Sequence, residues 1–144
     1  MSLRRLLQAM GILALAGLGI SLYLTWVYTT DRVAICLGSG GCETVQYSPY
    51  AWILGIPIPT LGAAAYLLVL ALALLGLRSR EPAEWVVLAL FGTSLVGLLF
   101  SAYLTYLEIF VIRAICLWCA VSAVIQVFLF ALAVAAWRRL PDAV

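Results

Sequence analysis

Four long runs of apolar residues dominate the sequence, and short polar segments separate them. Each run is close to the ~20 residues with which a helix crosses the hydrocarbon core of a bilayer. A helix of about 23 residues rises about 34 Å at ~1.5 Å per residue, enough to cross with a modest tilt. The pattern therefore predicts an all-α membrane protein, a bundle of four transmembrane helices formed by one domain over residues 1–144. The predicted spans are Leu6–Tyr28, Ile56–Leu77, Trp85–Leu107 and Ala114–Trp137.

The first apolar run follows Arg4 and Arg5, as in a signal peptide. It is longer than the apolar region of such a peptide, and no clear A-x-A cleavage site follows it. We therefore expect the run to remain in the protein as its first helix.

The only long connection runs from about Thr29 to Gly55. Its segment Glu43–Tyr50 carries aromatic residues suited to a membrane interface and predicts a short helix lying along the surface. The sequence Gly-Ile-Pro-Ile-Pro at 55–59 then breaks the backbone. Because proline is tolerated in the first turn of a helix, it marks the start of the second helix.

Small residues recur at every fourth position in the first and third runs. Stripes of this kind let membrane helices pack closely, and packing is the expected role of all six residues. Several residues around the first stripe are identical to those 80 positions later. This indicates either a duplication of a two-helix unit or only the small number of residue types that apolar helices use. The stripes are Gly17, Ser21 and Thr25, and Gly97, Ser101 and Thr105.

Composition reinforces the membrane assignment, since 67% of the 144 residues are hydrophobic, 10% are charged and the mean hydropathy is +1.18. No soluble domain of this size covers so much apolar surface. A scattered net charge of +2 does not indicate nucleic-acid binding. The chain has no histidine, so it offers no imidazole ligand and no Ser-His or Cys-His pair. Thiol chemistry remains.

The arginines predict the orientation of the bundle. Six of the eight lie before the first helix, between the second and third, or after the fourth, and only Arg32 and Arg113 lie on the other side. The positive-inside rule then places both termini in the cytoplasm, in an inner (plasma) membrane. All four cysteines fall on the periplasmic or outer side, where disulfides form and persist.

Cys116 and Cys119 form a C-x-x-C pair where the last apolar run begins. On a helix the two thiols lie one turn apart on one face, and the positive end of the helix dipole favours the thiolate. Arg113 adds to this effect. The alternative is two buried cysteines that act as small hydrophobic residues. A second pair on the same side of the membrane favours a redox role.

That second pair, Cys36 and Cys42, encloses a glycine-rich loop. A structural disulfide is the alternative, but one that closes a short loop stabilises little, so we favour a mobile shuttle pair. A zinc site made of all four cysteines is disfavoured by the ligand spacing. Glu108 and Arg113, at the outer ends of the last two helices, are either functional groups or a paired interface anchor.

The order of these motifs resembles the vitamin K epoxide reductase family, most closely its bacterial and archaeal members. The resemblance covers nearly the whole chain. Other four-helix disulfide generators, of the DsbB type, carry C-x-x-C in the first outer loop and a wide pair in the second, the reverse of this order. The matching motifs are C-x5-C (Cys36, Cys42), Ser48, Gly-x-Pro (Gly55, Pro57), Gly-x-x-x-Tyr (Gly62, Tyr66), Tyr-Leu (Tyr103, Leu104) and the final C-x-x-C.

The resemblance implies a four-helix bundle around a quinone of the ubiquinone, menaquinone or vitamin K type. It implies that Cys36 exchanges with a thioredoxin-like (DsbA-like) partner, that Cys42 passes electrons to Cys116, and that Cys119 faces the quinone. Because the chain ends soon after its last helix, that partner is expected to be a separate protein. The residues that fall where relatives line the quinone pocket are Ser48, Tyr50, Leu61, Tyr66, Leu104 and Ile112.

Relatives that reduce vitamin K hold its ring oxygens with an Asn and a Tyr, and Ile58 and Ala123 stand at those positions here. The expected function is therefore disulfide formation coupled to quinone reduction. Reduction of vitamin K or its epoxide is the alternative within the family. A non-enzymatic metal-binding or scaffold protein is the alternative from another class.

Overall fold

The computed structural model describes residues 3–30, 49, 52–78, 84–113 and 117–139. Four helices account for nearly all of them, and each is long and apolar enough to cross a membrane. The predicted all-α architecture of four membrane-spanning helices is confirmed, and the chain is a multi-pass membrane protein. The helices are α1 (Leu3–Thr29), α2 (Ile58–Arg78), α3 (Glu84–Tyr106) and α4 (Leu117–Arg138).

The outer surface of the bundle is apolar along its whole length. Ile12, Val96 and Leu99 each expose more than 60% of their surface, and many other large apolar side chains are similarly placed. A soluble protein rarely exposes so large a continuous apolar area. Lipid is the solvent that this surface fits.

Close packing fills the half of the bundle where α2 ends and α3 begins, which we call the closed end. Leu7, Met10, Leu90, Leu129 and Ala133 are fully buried there. Gly76 permits the approach, because a Cβ at this position would lie 2.9 Å from the Leu7 Cδ1 atom. The described residues of the closed end are closely packed.

The small-residue stripe of α1 packs against α2, as predicted. A Cβ on Gly17 would overlap the ring of Tyr66, and a Cβ on Gly62 would lie 3.2 Å from the Ser21 hydroxyl oxygen. The α3 stripe differs. Gly97 contacts Gln126 of α4, but Ser101 and Thr105 line a cavity.

A two-stranded hairpin that the sequence did not predict precedes α2. Strand β1 (Trp52–Ile53) pairs antiparallel with β2 (Ile56–Pro57) through the two-residue turn Leu54-Gly55. Helix α2 therefore begins at Ile58, two residues later than the predicted span, with Pro59 in its first turn. The predicted surface helix, Glu43–Tyr50, lies outside the described residues except for Pro49.

The third span continues past its predicted end at Leu107. A π-helical segment (Leu107–Ile112) extends it, and the chain then leaves the helix at Arg113, whose φ is 57°. The Arg113 N–H donates to the carbonyl oxygen of Glu108. Glu108, the first residue beyond the predicted end, is therefore inside the span and buried.

Candidate functional site

A cavity of about 830 Å³ occupies the half of the bundle opposite the closed end. All four helices contribute to its wall, and we call this half the Cys119 end. Cavities of this size and apolar character are typical of sites for small molecules. Five of the ten residues that the sequence singled out line it together: Cys119, Leu61, Tyr66, Leu104 and Ile112.

The other five predicted site residues lie outside the described residues. They are Cys36, Cys42, Ser48, Tyr50 and Cys116.

Cys119 is the third residue of α4 and is partly buried against the cavity. Its neighbour Trp118 contacts Tyr23 of α1, with ring centroids 5.4 Å apart. This aromatic contact fixes the start of α4 against the end of α1. The thiol is therefore positioned by helix packing rather than by a loop.

Tyr66 and Ser122 join α2 to α4 on one wall of the cavity. The Tyr66 hydroxyl lies 2.7 Å from the Ser122 hydroxyl and donates to the Ser122 carbonyl oxygen at 3.1 Å. Ser122 is one turn from Cys119, so the bond holds Tyr66 beside the thiol. Sequence reasoning missed Ser122, although its i+3 spacing from Cys119 placed it on the same face.

The cavity wall is mostly apolar, and it opens sideways between α2 and α3. Leu61, Leu68 and Val96 line it while exposing 38%, 50% and 67% of their surfaces. Ile58 and Ala123 also line it, and their side chains carry no hydrogen-bonding group. An apolar ligand can therefore extend from the cavity into surrounding lipid.

Two of the polar side chains on this wall, Glu108 and Gln126, are almost fully buried. Glu108 is 6% exposed and Gln126 is 7% exposed, and both line the cavity. Sequence reasoning missed Gln126. The signal was present, because an amide is rare within an apolar transmembrane run and marks a functional position by default.

A comparison with protein families finds one that covers most of the chain. The model of the vitamin K epoxide reductase family matches residues 8–134. The chain belongs to the vitamin K epoxide reductase family. The resemblance inferred from the cysteine motifs is thereby confirmed, and the four helices with their cavity are this chain's version of the family's membrane domain.

This member of the vitamin K epoxide reductase family is similar in sequence to the thiol-disulfide oxidoreductase LTO1 of Arabidopsis thaliana. The two are 36% identical over 121 residues, which cover 78% of this chain. The same stretch is 31% of LTO1, so the chain spans about a third of the length of that relative.

A quinone fits the residues of this site. The cavity is large enough for a ring, its wall is apolar, and its sideways opening suits an isoprenoid tail. Cys119 lines the same space.

Proposed function

We propose that the protein is a thiol–disulfide oxidoreductase that oxidises a dithiol protein and passes the electrons to a membrane quinone. One observation carries the proposal: Cys119 lines an apolar cavity that is open to lipid. A thiol in such a place can meet a lipid-soluble oxidant. The name of the relative LTO1 and the family match support the same chemistry.

The residues that would hold the quinone are those of the cavity wall. Leu61, Leu104 and Ile112 offer apolar contacts for a ring. A hydrogen bond to Ser122, one turn after Cys119, holds the Tyr66 hydroxyl on the same wall. The tail would leave between α2 and α3. These roles agree with the positions that the family resemblance implied.

The thiol steps that we propose are those that the family resemblance implies. A thiolate of the partner attacks the Cys36–Cys42 disulfide, and the partner's second thiol then completes the partner's own disulfide. Cys42 attacks the Cys116–Cys119 disulfide at Cys116, Cys119 leaves as a thiolate, and Cys36 restores the first disulfide. Closure of Cys116–Cys119 releases two electrons and two protons, for which a bound quinone supplies the acceptor.

The partner that we propose is a separate thioredoxin-like protein of the DsbA type. We place the cysteines on the periplasmic or outer side of an inner (plasma) membrane, with both termini in the cytoplasm. The arginine distribution supports this orientation.

Epoxide reduction is the weaker alternative. Ile58 and Ala123 line the cavity at the positions where relatives that reduce vitamin K carry hydrogen-bonding side chains. An apolar pair cannot hold an epoxide oxygen. Quinone reduction requires an apolar site for the ring and a thiol beside it, and the cavity wall with Cys119 supplies both.

The test is turnover by the purified protein in lipid nanodiscs. With a reduced thioredoxin-like protein as donor, the unmodified protein should convert a short-tailed ubiquinone to its hydroquinone, measured by absorbance. Cys119→Ala should lower the rate by at least about a hundredfold, because re-closure of the second disulfide is lost. Ser94→Ala, buried in α3 away from the cavity, should leave the rate unchanged.

The proposal is wrong if the unmodified protein reduces no quinone with any dithiol donor. It is equally wrong if Cys119→Ala retains the full rate.

A further inference from the structure

Tyr66 and Ser122 place two hydroxyl groups together in a mostly apolar cavity wall. Their oxygens lie 2.7 Å apart, and the Tyr66 hydroxyl also lies 3.1 Å from the Ser122 carbonyl oxygen. A hydroxyl has one proton to donate and two lone pairs that accept. The pair therefore has two protons to distribute among its own oxygens and any acceptor in the cavity.

Two arrangements of these protons satisfy the distances. In the first, Tyr66 donates to the Ser122 carbonyl oxygen, and Ser122 donates to the Tyr66 oxygen. In the second, Tyr66 donates to the Ser122 hydroxyl oxygen, which leaves the Ser122 proton available to another acceptor. Only the O–H bonds rotate between the two arrangements. The pair can therefore release one donor while it keeps the contact that joins α2 to α4.

The two hydroxyls differ in their access to the cavity. Tyr66 is 4% exposed, and its ring packs on Gly17 of α1. Ser122 is partly exposed and lines the cavity. Because the backbone of a helix is hydrogen-bonded inside its own turns, the exposed surface of a serine there belongs mainly to its Cβ and its hydroxyl. The donor that the second arrangement releases is therefore the one that a ligand in the cavity can reach.

Ser122 also lies at a depth close to that of the thiol. It follows Cys119 by three residues on α4, which places it about 4.5 Å further along the helix axis and on the same face. Both residues line the cavity. A ring that lies against Cys119 can therefore bring one of its oxygens to the Ser122 hydroxyl.

We propose that the Ser122 hydroxyl donates a hydrogen bond to a ring oxygen of the quinone, and that Tyr66 supports it by donating to the Ser122 hydroxyl oxygen. This assignment rests on the proposed function. It supplies a head-group hydrogen bond that the apolar side chains of Ile58 and Ala123 cannot make. Ser122 keeps its proton, so it binds and orients the ring and takes no part in the thiol exchange.

The support from Tyr66 affects the strength of this bond. A hydroxyl that accepts one hydrogen bond donates a stronger one, because neighbouring hydrogen bonds polarise each other. Negative charge grows on the ring oxygens as electrons arrive, and a donor already in position stabilises that charge. Ser122 therefore favours reduction of the ring as well as its binding.

The experiment observes the ring itself. A short-tailed ubiquinone with an isotope label at its carbonyl carbons is bound to the protein in nanodiscs, and infrared spectroscopy records its C=O stretching bands. A hydrogen bond lowers the stretching frequency of the carbonyl that accepts it. We expect one band of the bound ring to lie below its frequency in empty nanodiscs. Titration with quenching of tryptophan fluorescence as the signal measures the affinity.

Three variants test the role of the Ser122 hydroxyl. Ser122→Ala should remove the shifted band and weaken ubiquinone binding about fivefold. It leaves Tyr66 with a partner, because the carbonyl oxygen at position 122 still accepts the Tyr66 proton. Ser122→Thr retains a hydroxyl and should retain the shifted band. Ser94→Ala is the matched control, since it removes a buried hydroxyl that does not line the cavity, and it should change neither the band nor the affinity.

Tyr66→Phe identifies which of the two hydroxyls contacts the ring. The variant keeps the aromatic side chain that packs on Gly17 and removes only its hydroxyl, so Ser122 still has a proton to donate. We expect the shifted band to persist with a smaller shift, because the supporting hydrogen bond is lost. This variant also tests the assignment if Ser122→Ala does not fold.

The results separate a failure of the assignment from a failure of the proposed function. If the unmodified protein binds ubiquinone without a shifted band, or if Ser122→Ala keeps the band, the assignment is wrong and the proposed function stands. Loss of the band in Tyr66→Phe also overturns the assignment, since Tyr66 is then needed for the bond itself. If the unmodified protein binds neither ubiquinone nor menaquinone, the proposed function fails, and the role of Ser122 fails with it.

Discussion

Tyr66 connects three helices at a single side chain. Its ring covers Gly17 of α1, its backbone belongs to α2, and its hydroxyl bonds to Ser122 of α4. The ring is 4% exposed, so it has little freedom to move. The wall of the cavity therefore depends on Gly17, which is not itself one of the residues that line the cavity.

Gly17→Ala should destabilise the protein by about 1–3 kcal/mol, because the added methyl group overlaps the Tyr66 ring in a close-packed site. Thermal unfolding in detergent measures the change. Gly19→Ala is the matched control on the same helix, since a Cβ there meets nothing within 4 Å. Equal melting temperatures for the two variants would contradict the prediction.

The sequence predicted residues of the site where chemistry or resemblance marked them. Cys119 followed from its spacing to Cys116, and four lining residues followed from the family motifs. Gln126 was missed because hydropathy averages over a run and hides one amide among apolar neighbours. That its oxygen has no partner among the described residues is a property of packing, which only coordinates reveal.

The hairpin before α2 is the least regular element of the described chain. Leu54 and Gly55 have φ values of 52° and 82°, so both residues of the turn are left-handed. Such turns favour Asn-Gly, and leucine carries a steric cost in this conformation. Leu54 is 98% exposed and gains no packing in return.

Leu54→Asn should therefore stabilise the protein by about 1 kcal/mol, since asparagine tolerates the left-handed region. The measurement is the unfolding midpoint in detergent. Ile56→Asn is the control, because Ile56 lies in strand β2 next to the same turn and gains no such relief. If Leu54→Asn stabilises the protein no more than Ile56→Asn does, Leu54 carries no backbone strain in the turn.

The boundaries of elements were harder to predict than their number. The apolar runs predicted four helices, but the third continues to Ile112, past its predicted end at Leu107. Glu108, in this extension, is buried and lines the cavity. The hairpin was missed because Leu-Gly is a weak turn signal, and a Gly-x-Pro pattern indicates only a break.

The whole molecule is a bundle with two unlike halves. Large apolar residues fill the closed end, while the Cys119 end encloses the cavity. Hydropathy predicted the four helices, because a chain that crosses a bilayer must satisfy its backbone hydrogen bonds internally and a helix does so. The cavity is a matter of shape, and no count of apolar residues predicts an empty volume.

The proposed orientation is tested by labelling in whole cells. In a background with the four native cysteines replaced by serine, Thr30→Cys should react with a membrane-impermeant maleimide. Arg139→Cys should react only after the cells are permeabilised. Both positions are exposed and lie at opposite ends of the bundle. The reverse pattern would place the termini outside and overturn the arginine-based prediction.

The close packing of Leu7, Leu90 and Leu129 at one end has an energetic consequence for the living cell. If protons cannot cross that end, the proposed reaction would carry the pair of electrons and the pair of protons from the same thiols to the same quinone. Turnover would then carry no net charge across the bilayer. We expect an electroneutral enzyme, one that neither charges the membrane nor slows when the membrane is already charged.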